Sequence, residues 1–425
     1  MKEGYKKTEA GIIPNEWNVK TIGDIFEFKN GLNKEKEFFG KGTKIINYVD
    51  VFRNRALDNN IIQGLVEVSE KEKQLFNTKK GDVFFTRTSE TVDEIGMTAV
   101  LLENINDLVY SGFVLRARPK TEELDLFYKK YCFSEFYTRK EIMRKSSCTT
   151  RALTSGTLLK DVLIKIPTIK EQQKIADILS TVDTQIDDTD KLIEKTKELK
   201  KGLMQRLLTK GIGHTEFKIT EVGEIPVEWE VKKISDICNV NGGKRLPKGY
   251  QLIDDKNKNP YIRVADMHNG GISLEDIKYV PNEAVNSIKN YTISKDDLFI
   301  SVAGTLGIVG KVPECLDGAN LTENADKLCD IKINKDFLMR VLQSDLIQKI
   351  IDSEKTSNAQ PKLALTRIKE FLIPIPEKEE QEKIANILIS VDKQIEEYEN
   401  KKMKLEELKK ALMQQLLTGK IRVMV

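Results

Sequence analysis

Histidine is nearly absent from this chain: His214 and His268 are its only two. One lies just beyond a long charged run and the other in a glycine-flanked turn, so a general base or metal cluster built on imidazole has almost nothing to draw on. The five cysteines, Cys132, Cys148, Cys238, Cys315 and Cys329, are scattered, with no CxxC or ligand-like spacing. They read as reduced thiols of a cytosolic protein, with no metal site expected. No apolar run reaches about 18 residues, and the opening MKEGYKKTEAGIIP has no apolar signal core. The expectation is a soluble cytoplasmic protein with no membrane contact. Excess charge of one sign is missing too: 69 Lys and Arg stand against 66 Asp and Glu, a net charge of +3. Composition alone therefore gives no vote for nucleic acid.

Catalytic signatures are equally scarce. Gly304–Lys311 (GTLGIVGK) fails as a phosphate-cradling loop, because Thr305 stands where a glycine is required and Val312 where Ser or Thr should follow the lysine. Asn259–Tyr261 (NPY) faintly suggests an amino-group methyltransferase motif, but it lacks the second proline and any nearby glycine-rich cofactor loop. Chance explains it better. The many paired carboxylates fit a solvated, charge-alternating helix face. The chain reads as a protein that is not itself an enzyme.

What is present is a duplication. Pro376–Gly419 places apolar residues at Ile384, Leu388, Val391, Ile395, Tyr398, Leu405, Leu412 and Leu416, in steps of four and three. That is the spacing of a coiled-coil seam, interrupted by Lys402 and Lys409. A helix of that length would measure roughly 60 Å at 1.5 Å per residue and needs a partner helix. Pro167–Lys210 supplies one: shifted by 209 positions it overlays the second run without a gap, and about half of the aligned residues are identical. Its seam is Ile175, Leu179, Val182, Ile186, Ile193, Leu203 and Leu207. The repeat extends to the entry segments. Tyr5–Gly31 and Phe217–Gly243 share the pattern T-E-x-G-x-I-P-x-E-W-x-V-K, with the two tryptophans, Trp17 and Trp229, at the same position. Each tryptophan is expected to pack beneath its entry segment rather than to bind a ligand.

Between these frames the two halves match only in outline. Extended segments ending in Asp are expected at Lys44–Asp50 and Pro260–Asp266. Alternating strands follow at Lys80–Thr86 and Lys295–Ser301, running into polar loops at Arg87–Gly96 and Val302–Gly307. Closing amphipathic helices are expected at Leu124–Met143 and Asp336–Asp352, each before a Ser/Thr-rich link. The fold class is mixed α/β: residues 1–166 and 213–375 form two globular domains, and 167–212 and 376–425 form two long helices. An antiparallel pairing of those helices would give the chain an internal pseudo-two-fold axis.

Cationic and hydroxyl side chains gather in the expected loops. They are Lys34, Lys36, Arg53, Arg55, Arg87, Thr88, Ser89 and Arg151 in the first half, and Lys244, Arg245, Lys248, Arg263, Ser301 and Thr305 in the second. Such a mixture suits double-stranded DNA, cations anchoring phosphates while Arg and hydroxyls read base edges. Any one of them could equally be a solvated surface charge; the group has more weight than its members.

The order of variable domain, long helix, variable domain, long helix resembles the DNA-specificity subunit of Type I restriction–modification systems. So do the entry motif (Gly11–Trp17, Gly223–Trp229), the I-P-x-x-x-E-Q helix start (Ile166–Gln172, Ile375–Gln381) and the L-M-Q-x-L-L-T helix end (Leu203–Thr209, Leu412–Thr418). The resemblance implies two target recognition domains, each reading half of a bipartite asymmetric DNA site. It also implies an antiparallel helix pair that sets the half-site spacing and docks two methyltransferase subunits, with restriction and translocase subunits in the full prokaryotic complex. S-adenosylmethionine, ATP and Mg would then belong to those partners and not to this chain. A coiled-coil scaffold that binds only proteins, or an enzyme with an unrecognised site, are the alternatives; the first predicts no salt-sensitive duplex binding.

Overall fold

The structure, a computed structural model, describes residues 3–148, 151–355 and 362–424. The stretches 149–150 and 356–361, which belong to the Ser/Thr-rich links, lie outside the described residues. The chain divides into two compact units, Met1–Asp190 with Asn400–Val425, and Lys191–Glu399. Both long helices form, over Ile169–Lys210 and Lys378–Leu416. Unit boundaries cut through them instead of isolating them, because each half-helix packs into a different core. Ile175 and Leu179 join Leu416 and Leu417 in the first unit, while Leu207 and Leu208 join Ile384 and Leu388 in the second.

Within each unit the two half-helices run antiparallel. In the first, Asp183 pairs with Lys409, and Asp190 with Lys402 at 2.7 Å. In the second, Lys200 meets Asp392 at 2.6 Å and Lys197 meets Glu399 at 2.8 Å. Residue numbers rise along one helix as they fall along the other. The seam interruptions thus become cross-helix ion pairs, and the Asp183–Lys409 and Asp392–Lys200 pairs occupy equivalent repeat positions. Of the seam residues, Ile175, Leu179, Val182, Ile193, Leu207, Ile384, Leu388, Val391, Ile395 and Leu416 are buried, whereas Ile186, Leu203, Tyr398, Leu405 and Leu412 are half-buried.

The shared motifs turn out to grip one another. Trp17 is buried and donates from Nε1 to Glu171 Oε2 at 3.0 Å; Trp229 does the same to Glu380 at 2.9 Å. The adjacent glutamine of each helix start reaches back to the carbonyl of the preceding proline, Gln172 to Pro167 at 2.9 Å and Gln381 to Pro376 at 2.8 Å. Its Oε1 accepts the backbone N–H of Asp125 or Asn334, fixing the helix to its globular part. Gly211 and Gly419 end the helices at φ +64° and +71°, against the same tryptophans. A Cβ at Gly419 would stand 2.6 Å from Pro14 Cδ and 3.1 Å from Trp17 Cη2. Beyond these glycines, Arg422 Nε reaches Glu171 at 2.7 Å and His214 Nε2 reaches Glu380 at 3.0 Å.

Each globular part is built on an antiparallel sheet. In the first unit its strand order is Phe26–Asn30, Val114–Pro119, Val83–Thr86, Thr98–Leu101, Ala56–Leu57, with the last pairing parallel. In the second it is Asn239–Gly242, Ala325–Cys329, Leu298–Ser301, Val309–Lys311. The central strand of each is buried on both faces, as period-two alternation between two cores requires. Val83 and Phe85 face the core that holds Trp17, while Phe84 faces another; Leu298 and Ile300 divide from Phe299 in the same way. The strand leading into each long helix, Leu163–Ile166 or Leu372–Ile375, pairs with Asn18–Thr21 or Glu230–Lys233 behind the tryptophan.

Three local expectations are corrected. The segments Lys44–Asp50 and Pro260–Asp266 are not extended throughout. Strands Phe39–Ile46 and Pro260–Ile262 give way to helical turns at Tyr48–Arg53 and Val264–Asp266. The terminal aspartate is responsible, since Asp50 accepts the Asn47 N–H and Asp266 the Arg263 N–H, each at 2.8 Å. The first closing helix spans only Phe136–Lys145, because Glu135 is extended and caps Thr138 N at 3.0 Å; two 3₁₀ turns precede it. The second breaks at Ser344, whose ψ of 158° separates Lys335–Gln343 from Asp345–Lys355.

Candidate nucleic-acid interface

The buried central strand of each sheet delivers one polar loop to the surface. In the first unit Thr86 N bonds Met97 O at 2.8 Å and closes the loop between them; in the second, Ser301 N bonds Ile308 O at 2.9 Å. Both loops are tied at the base by equivalent backbone bonds. Thr154 N donates to Arg87 O at 2.9 Å, and Leu363 N to Val302 O at 2.9 Å. Arg87 N in turn donates to Phe113 O at 3.0 Å, and Val302 N to Asn324 O at 2.7 Å. The same backbone bonds therefore join Arg87 to Phe113 in one unit, and the buried Val302 to Asn324 in the other. The scaffold is shared, and the loop it holds differs: residues 87–96 in one unit, the shorter 302–307 in the other.

Side-chain bonds brace the frame near the first loop. Arg139 donates to the carbonyls of Gly96 at 3.1 Å and Asp93 at 2.8 Å, and also to that of Ile95. Thr88–Ser89 forms a short strand against Ala152–Leu153.

The cationic set divides in two. Lys36, Arg53 and Arg151 are exposed in the first unit, as are Lys244, Arg245, Lys248 and Thr305 in the second. Arg87 is half-buried and turns toward Gly112 O at 3.4 Å, and Thr88 is half-buried beside it. Arg245 holds Glu323 at 2.5 Å, yet its side chain is 77% exposed, which leaves the guanidinium open to a second partner. Lys244 lies 5.5 Å from the centroid of Tyr291.

Other members are engaged inside the fold and leave the reading set. Arg55 is held on Ser134 Oγ at 3.2 Å, lies 5.8 Å from the Tyr131 centroid, and its guanidinium pKa is pushed down by burial. Arg263 is saturated by Asp266 and Asp276, and the bond to Asp266 raises its pKa. Ser301 is fully buried, donating to Thr305 O at 2.6 Å and accepting from Ile308 N at 2.8 Å, so it shapes the loop and does not touch a base. Ser89 is buried at 5% exposure, and Lys34 pairs with Glu72 at 2.9 Å. For Arg55 and Lys34 the partners, Ser134 and Glu72, lie far along the chain, so the sequence could not separate them from free cations.

Two features went unread. Phe113 is 63% exposed at the first loop's base, where no periodic pattern marks it. In the second unit Asp326 lies on the strand facing Gly242, is 5% exposed, and its Oδ2 has no hydrogen-bond partner. Burial pushes its pKa up to about 6, against the pull of Lys362. Among the described residues no group of His, Cys, Asp and Glu could hold a metal ion, and no helix is long and apolar enough to cross a membrane.

A family model described as the Type I restriction modification DNA specificity domain matches the chain twice, at residues 14–198 and 226–407. Among similar proteins is the Type I restriction enzyme MjaVIII specificity subunit of Methanocaldococcus jannaschii, 26% identical, with 99% of this chain and 97% of that protein covered. The putative MjaX specificity subunit of the same organism is 29% identical over the same shares of the two chains. Among solved structures, the S subunit of a Type I restriction–modification system from M. genitalium matches with a TM-score of 0.56 at 18% identity. That match covers 96% of this chain and 97% of the other. A chain from a study of complex assembly and conformational transition of the type I R-M system matches with a TM-score of 0.60 at 13% identity, covering 96% and 99%. These two structures share the fold.

Proposed function

The chain belongs to the Type I restriction modification DNA specificity family, as a specificity subunit with two DNA-recognition domains and no catalytic role, and on that footing we propose how it works. Each unit reads one half of a bipartite, asymmetric site in double-stranded DNA. The long helices set the gap between half-sites and dock two methyltransferase subunits, with restriction and translocase subunits joining in the full complex. S-adenosylmethionine, ATP and Mg act on those partners, in the cytoplasm of a prokaryotic cell.

One observation carries this reading: matched backbone bonds frame a loop with half-buried Arg87 and exposed Phe113, Glu90 and Glu94 in one unit, and a shorter loop with exposed Gly304 and Thr305 in the other. Repeated readers on one chain address paired half-sites. Unlike readers make those half-sites unlike. The exposed Lys36, Arg53, Arg151, Lys244, Arg245 and Lys248 supply phosphate anchoring, so binding falls steeply with salt.

The test is to map methylated adenines in DNA modified by the assembled complex. Two different half-motifs at one fixed gap are expected. A single uninterrupted motif, or methylation without sequence preference, would contradict the reading.

A further inference from the structure

The first unit carries a cleft of about 440 Å³ beside its reading loop. Tyr48 and Ser89 lie in it, Phe113 and Arg151 border it, and Glu90 and Glu94 face it from the loop between Thr86 and Met97. Thr88 lines it as well. Its walls are pinned by the Thr88–Ser89 strand pairing, by the Arg87–Phe113 backbone bond, and by Arg139 on the carbonyls of residues 93, 95 and 96. Among the described residues neither Glu90 nor Glu94 forms an ion pair, and both are exposed.

Two free carboxylates on a DNA-facing loop exclude a phosphate contact there, since like charges repel. They also disfavour the minor groove, where the potential is most negative. The one amino group in the minor groove, guanine N2, lies in that repelling potential, whereas the major groove offers exocyclic amino groups without it, and glutamate pairs by geometry with the N4 amino of cytosine. An exposed aromatic beside them suits the apolar C5 edge of a pyrimidine. The second unit has no such cleft chemistry at the matched place. Its loop offers Ala303, Gly304 and Thr305, and nearby Glu323 is already held by Arg245.

We infer that the Tyr48–Phe113 cleft reads a cytosine in the major groove of the first unit's half-site, through the carboxylates of Glu90 and Glu94, with Phe113 against the pyrimidine edge and Arg151 on the flanking backbone. This deepens the proposed function and rests on it.

The experiment uses the full chain assembled with its modification subunits and a randomised duplex library, read by sequencing the bound fraction. Wild type should select a bipartite motif with cytosine fixed at one position of one half. Glu90→Ala with Glu94→Ala should cut the preference at that position by about tenfold and leave the other half-site unchanged. Glu90→Gln with Glu94→Gln should move it from cytosine toward adenine, whose N6 and N7 suit an amide. An unchanged motif, or a uniform rise in affinity for every sequence, overturns the inference, the latter meaning that the carboxylates merely repel DNA. Joint loss of both half-site preferences in both variants also overturns it, because the glutamates would then hold the fold. A wild-type complex with no sequence preference instead overturns the underlying reading.

Discussion

Trp17 and Glu171, 154 positions apart, meet through an indole N–H to carboxylate bond of 3.0 Å in which both side chains are at 1% exposure. The carboxylate's other oxygen takes Arg422, from beyond the end of the second long helix, at 2.7 Å. The entry segment, the start of one helix and the tail of the other thus share a single buried charge. Removing that charge by Glu171→Ala leaves Arg422 with Glu16 alone, at 2.9 Å, and the buried indole N–H without an acceptor. The expected loss is about 2 kcal/mol, measured by denaturant unfolding of the full chain. Trp17→Phe, which deletes only the neutral donor, should cost about 1 kcal/mol for the lost bond, plus the packing difference. Equal stability of Glu171→Ala and wild type would contradict the clamp.

Lys409 and Asp183 form an ion pair inside the first unit, both side chains at 20% exposure, and Lys200–Asp392 repeats it in the second. A double-mutant cycle on Lys409→Ala and Asp183→Ala should return a coupling of about 0.5–1 kcal/mol, above the surface average because the pair sits on the seam. Zero coupling would make the lysines mere interruptions of the apolar stripe.

Asp326 gives the second unit a pH dependence whose sign follows from its raised pKa. In the unfolded chain its carboxyl ionises near the ordinary 3.8, in the fold near 6. Between those values the native state binds the extra proton, so stability falls as pH rises from about 4 to 6 and stays reduced above. Asp326→Asn removes the buried charge and should stabilise the protein by about 1–3 kcal/mol at pH 8 with no gain at pH 3.5. A gain equal at both pH values would assign the effect to something other than ionisation.

Gly419 occupies a left-handed conformation with Pro14 and Trp17 against it. Gly419→Ala adds backbone strain and a 2.6 Å approach to Pro14, a cost of about 1–3 kcal/mol. A substitution at Gly213, whose Cβ would meet nothing within 4 Å, should show the backbone part alone. Thermal unfolding of the two variants separates strain from crowding.

The duplicated helices, their seam and the equivalence of Trp17 and Trp229 were legible in the sequence, because they are signalled by spacing and self-similarity. The partnerships were not. Nothing local tells that Glu171 answers Trp17, or that Arg55 is buried against Ser134 and Tyr131, whereas the pairing of Arg263 with Asp266, three residues on, depends on the helical turn between them. Capping chemistry was underread: Asp50, Asp266 and Glu135 each convert an expected strand or helix start into something else through one carboxylate bond. Phe113 escaped notice because an isolated exposed aromatic has no pattern, and the matched bond to Asn324 appears only in three dimensions.

One frame carries two DNA-recognition interiors, so either should serve in the other's place. Ile22 N to Val162 O at 2.8 Å and Ile234 N to Phe371 O at 3.0 Å mark matched borders of the two interiors. A chain whose residues 22–162 are replaced by its own 234–371 should, in the assembled complex, methylate an inverted repeat of the second half-site with the wild-type gap. Retention of an asymmetric motif, or a changed gap with the helices untouched, would contradict it.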